Sequence, residues 1–346
     1  MSIILTEGFD LIGSNADLLG RGWTIAEAGV IAATANQYGG RAWDLGTTDD
    51  TVLALNMPVV IGTQPYISVA CWRLYTTIPG TAAGSIIGIG DGVSPVTTLA
   101  PNSAHVYLQN AAGGGIRVSK ANNTEVITLG SRIKANVWQH YELRVFVDHS
   151  VGTLEFWLDG ILEVSETGID TRDSGTTGNI HFTGNNDPSN CYIDDIVITQ
   201  DATTEHAQIG LHRIHTLLPD GAGTNTAWTG SNTDVDDPFG ASDGDTTFAS
   251  ESVVNDKQDY TFDNLSESPA SVISVTVVTE ARKDDSGTVG LTSFVLSNAV
   301  EGAGTEVGLS EAYSTSNDFF PLNPDGSVAW TETTVNALQA GHEITT

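Results

Sequence analysis

Apolar residues in this chain come in short alternating runs closed by Gly, Asn, Asp or Pro, and no stretch sustains an apolar period of 3.6 residues. A chain written this way can make strands and tight turns but few helices. In the first part the runs are Tyr66–Tyr75, Ala104–Gln109, Gly115–Lys120, Glu125–Leu129, Trp138–Asp148, Thr153–Leu158, Ile161–Glu166, Asn179–Thr183 and Cys191–Gln200. Nine short strands within roughly 140 residues is the spacing of a sandwich or barrel. The 37 glycines supply the turns that such a fold needs.

Two runs say more. In Trp138–Asp148, Tyr141, Leu143, Val145 and Val147 share one face, while Glu142, Arg144 and Asp148 share the other, which predicts a sheet with one buried side. Thr153–Leu158 and Ile161–Glu166 flank Asp159-Gly160, a two-residue loop suited to a type I′ hairpin. That register sets Leu158 opposite Ile161 and Trp157 opposite Leu162. Apolar groups then stand on both faces, so one face packs the core and the other packs a loop or lines a groove.

A second part follows the polar linker Asp201–Glu205. Arg213–Leu218, Asp259–Asn264, Ser271–Arg282 and Leu291–Ser297 read as strands, and Gly221–Gly244 as a long loop. Asn323-Pro324-Asp325-Gly326 reads as a tight turn. Ser14–Leu19 is long enough for one helical turn. Thr331–Ala340 is expected to form a short helix, with Thr331 as N-cap and Gly341 as terminator. A length of 346 residues suits two domains, which we place at 1–203 and 206–346. Cys71 and Cys191 are the only cysteines, and their lone placement predicts two buried thiols rather than a disulfide framework.

Charge then narrows the function. Lys and Arg total 13 against 43 Asp and Glu, a net charge of −30. Residues 1–200 hold 9 cations and 20 anions, and residues 201–346 hold 4 and 23, so the parts carry −11 and −19. So few cations argue against nucleic-acid binding and against an anionic membrane surface. No apolar window reaches the length of a membrane span. The start, MSIILTEGFD, lacks a basic segment and is not expected to be a signal peptide. Self-repulsion in the more acidic second part predicts a basic or cation-bridged partner.

The stretches "VWQHYELRVFVD", "GTLEFWLDGILEV" and "CYIDDIVITQ", with "EGFD" and Trp23 near the start, resemble concanavalin A-like lectin/glucanase sandwiches, including laminin G-like domains. This resemblance covers roughly residues 5–200 and implies an antiparallel jelly roll of two packed sheets. Within 208–342, "LHRIHTLLPDGAGTNTAWTGS", "YTFDNL", "VTEARKDDSGT" and "NPDGSVAWTETTVNALQAG" resemble a segment of tailed-bacteriophage structural proteins. The likeness implies a virion component assembled in the host cytoplasm, in which a sandwich is joined to a β-rich assembly module. The expected fold is therefore all-β: a jelly roll followed by a second β-rich domain with a short C-terminal helix.

The resemblance also directs attention to sites. Glucanases of this fold carry a run of carboxylates on one strand, because retaining hydrolysis needs an acid and a nucleophile close together. No such run exists here, and no catalytic residue is expected. The fold often binds Ca²⁺ between the last strand and the N-terminus, which implies Glu7, Asp10, Asp194 and Asp195 as ligands. Strand alternation would let only one of Asp194 and Asp195 face a shared site. The acidic loop Asp234, Asp236, Asp237, Asp243 and Asp245 departs from a calcium loop at Pro238 and Phe239. His206, His212 and His215 lack a Cys or Glu to complete a metal set. Trp157, on the two-sided hairpin, is the candidate sugar platform. The expected function is non-enzymatic: a tail-tip, fibre or capsid-decorating protein, oligomeric (a trimer, for example), in contact with other virion proteins and a host glycan. The alternatives are a carbohydrate-active enzyme and a stand-alone lectin.

Overall fold

The computed structural model describes residues 2–12, 18, 21, 23–26, 30–32, 37–38, 40–46, 52–55, 66–80, 85–90, 104–120, 124–172, 178–184, 190–201, 208–237 and 242–346. The chain divides into two compact units, Met1–Ile214 and His215–Thr346. The helical turn expected over Ser14–Leu19 lies largely outside the described residues, as does most of the linker Asp201–Glu205.

The described strands of the first unit are, in chain order, β1 (Ser2–Glu7), β2 (Trp23–Ala26), β3 (Val30–Ala32), β4 (Ala42–Asp44) and β5 (Val52–Leu55). There follow β6 (Tyr66–Tyr75), β7 (Ser85–Gly90), β8 (Ala104–Ala111), β9 (Gly115–Lys120) and β10 (Thr124–Leu129). The last are β11 (Gln139–Phe146), β12 (Gly152–Leu158), β13 (Ile161–Ile169), β14 (Asn179–Thr183) and β15 (Cys191–Asp201). They make two antiparallel sheets. The first runs β13-β12-β11-β6-β15-β4-β3, with β1 also paired to β15. The second runs β10-β9-β8-β7-β14-β5-β2. Neighbours such as β6 and β15, or β7 and β14, are far apart in sequence, as a jelly roll requires.

The alternating runs explain the sandwich. Ile67, Val69 and Cys71 on β6, Tyr141, Leu143 and Val145 on β11, and Leu154 and Phe156 on β12 point inward from the first sheet. Ile87, Ile89, Val106, Leu108, Val118, Ile180 and Phe182 meet them from the second. Each such side chain contributes about 1.5–3 kcal/mol on burial. One buried cation joins the layers. Arg73 on β6 donates to the carbonyls of Ser85 (3.0 Å), Ile86 (2.6 Å) and Thr183 (2.8 Å) and to Cys191 Sγ (2.7 Å). Cys71 and Cys191 are free, buried thiols.

The hairpin is built as read: Asp159 and Gly160 both have positive φ, 51° and 78°, and Leu158 faces Ile161 while Trp157 faces Leu162. The second side of β11 differs from expectation. Glu142 is fully buried, because the chain after β15 returns across it. Its carboxylate accepts the N–H groups of Ile209 (2.7 Å) and Gly210 (2.9 Å). Trp72 Nε1 donates to the His212 carbonyl at 2.8 Å, and His140 Nε2 lies 3.2 Å from His212 Nδ1. These contacts hold residues 208–214 on the sandwich, so the division falls after Ile214 rather than near residue 205. Arg213–Leu218, expected as a strand, has no strand structure.

The second unit holds β16 (Pro219–Thr226), β17 (Lys257–Phe262), β18 (Val275–Ala281), β19 (Gly290–Ser297), β20 (Val300–Ala303), β21 (Val307–Gly308), β22 (Ser314–Phe320), α1 (Glu332–Asn336) and β23 (Gln339–Ile344). Its main sheet runs β16-β17-β23-β19-β20, with β21 on β19, and β18 pairs with β22. Val295, Phe320, Trp330, Val335, Leu338 and Ala340 form its core. The first residues of Gly221–Gly244, expected as a loop, belong instead to the edge strand β16: the buried Asp259 accepts the Thr224 N–H at 2.6 Å and also bonds Asn225. Thr331 caps α1 as expected. Gly341 does not terminate it. It lies within β23, paired with Asp259 and Phe294, where a Cβ would overlap the Gln258 carbonyl. Close backbone approach, not a left-handed cap, demands glycine there.

Candidate functional site

The four carboxylates singled out in sequence come together at one place in the first unit. Glu7 ends β1 and pairs with Ile196 on β15. Asp194 and Asp195 do not simply alternate: the register shifts between Asp194 and Val197, and Asp195 has φ of +46°. This bulge overrides the period of two and leaves both carboxyls buried. Asp10 follows Phe9, another residue of positive φ (58°), and is buried too.

Each acid has hydrogen-bond donors. Glu7 Oε1 accepts the Phe9 N–H at 3.1 Å, and the Arg21 guanidinium lies 3.4 Å away. Asp10 accepts the Arg41 N–H at 2.8 Å. Asp194 accepts the N–H groups of Gln37 (3.1 Å) and Asp195 (2.9 Å). These donors do not cancel the charge. Burial pushes Asp194 up to about 7, with the charges of Asp10 and Glu7 adding to the shift. Burial and the Asp194 charge raise Asp195 well above the carboxylate range, and burial raises Glu7. Hard oxygens bearing surplus buried charge suit Ca²⁺ chemically. Among the described residues, however, no three Asp, Glu, His or Cys side chains form a closed metal-ligand set.

A second constellation was missed in sequence. On the outer face of the second sheet, His181 (β14), Gly88 (β7), Tyr107 (β8) and Ser119 (β9) stand in one cross-strand row. Asn179 pairs with Gly90 beside it. A Cβ at Gly88 would overlap the His181 imidazole, and one at Gly90 the Asn179 amide, so both side chains lie flat across β7. His181 Nδ1 is 3.4 Å from Asn179 Oδ1, an arrangement that leaves Nε2 as an acceptor. Burial pushes His181 down to about 4, so it is neutral near pH 7. Burial also raises the Tyr107 phenol, which lies beside Ser119 and Arg117. Tyr107 Oη and Ser119 Oγ, both buried, interact with each other, and among the described residues neither has a further hydrogen-bond partner. The signal in the sequence was the polar alternation of "NIHFT" and "AHVYLQ". That β14 lies beside β7 was not legible there.

The remaining candidates fall elsewhere. Trp157 is 7% exposed, and the Arg144 guanidinium covers its ring at 5.2 Å. It therefore lacks the open face that stacking on a sugar requires. Arg144 pairs with Glu155, and Arg132 with Glu163 at 3.1 Å. His212 is buried against His140, with its Nε2 2.7 Å from the Asp195 carbonyl. In the acidic loop, Asp234 caps a 3-10 turn through Ser231, Asp243 bonds Thr247, and Asp245 pairs with Arg282 at 2.8 Å. Pro238 and Phe239 lie outside the described residues. Among the described residues no helix is long and apolar enough to cross a membrane.

No family model matches the chain, and no curated protein matches it. Three solved structures illustrate its likenesses. One is a cellulose-induced protein, Cip1 (14% identity, 55% of this chain and 89% of that one, TM-score 0.38). Another is an endo-β-1,4-glucuronan lyase from the fungus Trichoderma reesei (11%, 57% and 95%, 0.41). The third is the carbohydrate esterase vb_24B_21 of the Shiga toxin-encoding bacteriophage phi24B (15%, 58% and 98%, 0.39). Identities and TM-scores this low transfer no activity, substrate or partner to this chain.

Proposed function

We propose that this chain is a non-enzymatic structural component of a tailed-phage virion whose jelly roll adheres to a host-surface glycan. The observation that carries the glycan reading is the row His181–Gly88–Tyr107–Ser119. It gathers an imidazole, a phenol and a hydroxyl in one buried cross-strand row, with the His181 ring lying over Gly88. Sugar hydroxyls both donate and accept, and a buried polar group left unmatched costs about 1–3 kcal/mol, which a bound sugar would offset. The virion reading rests on the sequence likeness of residues 208–342. Ion pairing of Glu155 and Glu163 favours a binding module over a glycosidase.

Two measurements test this. Mass spectrometry of purified particles should find the chain, and a glycan array should show binding that His181→Ala weakens at least 10-fold while Trp157→Ala leaves it unchanged. Absence from particles would overturn the virion role. Binding lost with Trp157→Ala alone would move the site to the hairpin.

A second reading, a carbohydrate-active enzyme, is favoured by one observation: a neutral imidazole and a phenol of raised pKa share the row. Release of sugar fragments from a polysaccharide panel, abolished in His181→Ala, would establish it.

The carboxylate cluster has a structural role in this proposal. No three of Glu7, Asp10, Asp194 and Asp195 converge as ligands, so a Ca²⁺ ion at this cluster would take at most two of them directly, with backbone and water oxygens filling the remaining positions. In the second unit, Lys257 is held by Glu301 (2.7 Å) and Glu343 (3.2 Å), and Arg282 by Asp245. The acid excess is left for a basic or cation-bridged neighbour, in a homo-oligomer or another virion protein.

A further inference from the structure

A free strand edge is a template for another strand, so folded chains blunt their edges with bulges, charges, proline or shortness. Most strands with a single ladder partner here are blunted in one of these ways. β1, β10, β13 and β16 each carry an extra residue that shifts the register. β2, β3, β20 and β21 have four residues or fewer. β22 bears Asp318, which accepts the Thr305 N–H at 2.9 Å. β18 is the exception. It pairs with β22 over seven residues without a register shift, and among the described residues no strand stands on its other side. No backbone bond of Val277–Ala281 leads beyond β22 among those residues. Val275–Thr279 is an unbroken β-branched run with no charge, glycine or proline, the composition that pairs most readily. A sheet of two strands is also marginal by itself.

We infer that the second unit dimerises through β18, whose free edge pairs antiparallel with the same edge of a second copy across a two-fold axis. The product is a four-stranded sheet, with a β22 on each outer side. This gives the homo-oligomer proposed above its surface and needs neither the virion nor the glycan role. In the register that overlaps all of Val275–Ala281, Val278 meets its own copy, Val277 meets Thr279 and Glu280 meets Thr276 of the second copy. The two Glu280 side chains then stand about 13 Å apart along the strands, beyond a Debye length of about 8 Å. Charge favours this occupant. Two copies of a chain of net charge −30 repel, so they can meet only at an edge poor in acids. A basic partner would gain more on β13, which carries Glu163 and Glu166. Val275 and Val277 pack against the core, so Val278 lies on the opposite face and the pairing leaves that core intact.

The test is sedimentation equilibrium of the full chain at concentrations up to about 100 µM, which reaches weak dimers. The expected result is a monomer–dimer equilibrium that tightens about threefold or more as NaCl rises from about 50 to about 500 mM, because salt screens the repulsion. Val278→Lys sets two ammonium groups opposite each other and should weaken the dimer by about 10-fold or more, with an unchanged melting midpoint. Val278→Cys gives a second readout: mild oxidation should join two copies through a disulfide, since paired strands hold such residues at bonding distance. Val253→Cys, at an exposed position outside the strand, should stay unjoined. A chain that remains monomeric, or forms trimers or open aggregates instead of dimers, would overturn the inference. So would a dimer that salt weakens, one that Val278→Lys leaves intact, or a Val278→Cys chain that oxidation does not join.

Discussion

Adding calcium at pH 8 should raise the unfolding midpoint of the first unit by roughly 5–10 °C, and a chelator should reverse it. The magnitude follows from linkage: an ion present at 100 times its dissociation constant stabilises the folded form by about 2.7 kcal/mol, and 1 kcal/mol moves a unit of this size by about 2–4 °C. The cause is the buried charge of Glu7, Asp10, Asp194 and Asp195. Without a cation, Asp194 titrates near 7 in the folded chain, above its ordinary value of 3.8. A carboxyl whose folded pKa is raised keeps its proton while the unfolded chain has lost it. The metal-free unit therefore loses stability as pH rises from about 4 to about 7. Calcium competes with those protons, so its stabilising effect should be small at pH 5 and largest above pH 7. Asp195→Asn should abolish the calcium effect while raising the metal-free stability at pH 8. Equal midpoints with and without calcium at pH 8 would reduce the cluster to hydrogen-bonded acids.

The second large effect is acid loosening of the second unit through His342. This side chain is half-buried between Thr279, 2.7 Å from its Nε2, and the Trp228 ring. Burial pushes it down to about 4, against 6.5 when solvated. Here the sign is the reverse of that for Asp194. The unfolded chain takes up the proton first, so stability is full above 6.5 and falls as pH drops towards 4. One proton contributes roughly 1.4 kcal/mol per pH unit, for a total of about 3 kcal/mol. Hydrogen exchange at the buried amides of β19 and β23, corrected for intrinsic rates, should accelerate about 10-fold per pH unit below 6.5. His342→Gln keeps a hydrogen-bonding group beside Thr279 but cannot titrate. It should flatten that dependence, and an unchanged slope would assign the proton to another group.

Much of the sandwich was legible in the residues because a half-buried strand writes its two faces in alternate positions. Tyr141, Leu143 and Val145 are inward for that reason, and Asp159-Gly160 turns the hairpin because both residues accept positive φ. The same rule failed at Asp194 and Asp195. A bulge inserts one residue, and nothing in "CYIDDIVITQ" marks where the partner strand skips. Glu142 read as outward, and it is outward, yet it is buried because residues 208–214 lie over it. Trp157 sits on a hairpin with apolar groups on both faces, yet it is no open platform, because Arg144 from the neighbouring strand covers its ring.

The sequence by itself determined the all-β character, the hairpin and its register, the buried thiols and the gathering of charge in the second part. These depend on local periodicity, backbone permission and counting. The tertiary structure alone decided which strands became neighbours, and so which side chains meet. His181 and Tyr107 are 74 residues apart and share a row only because β7 separates β14 from β8. Likewise, Glu7 reaches Asp194 and Asp195 because the first strand pairs with the fifteenth. Strand order is chosen by the packing of whole sheets, and no local pattern encodes it.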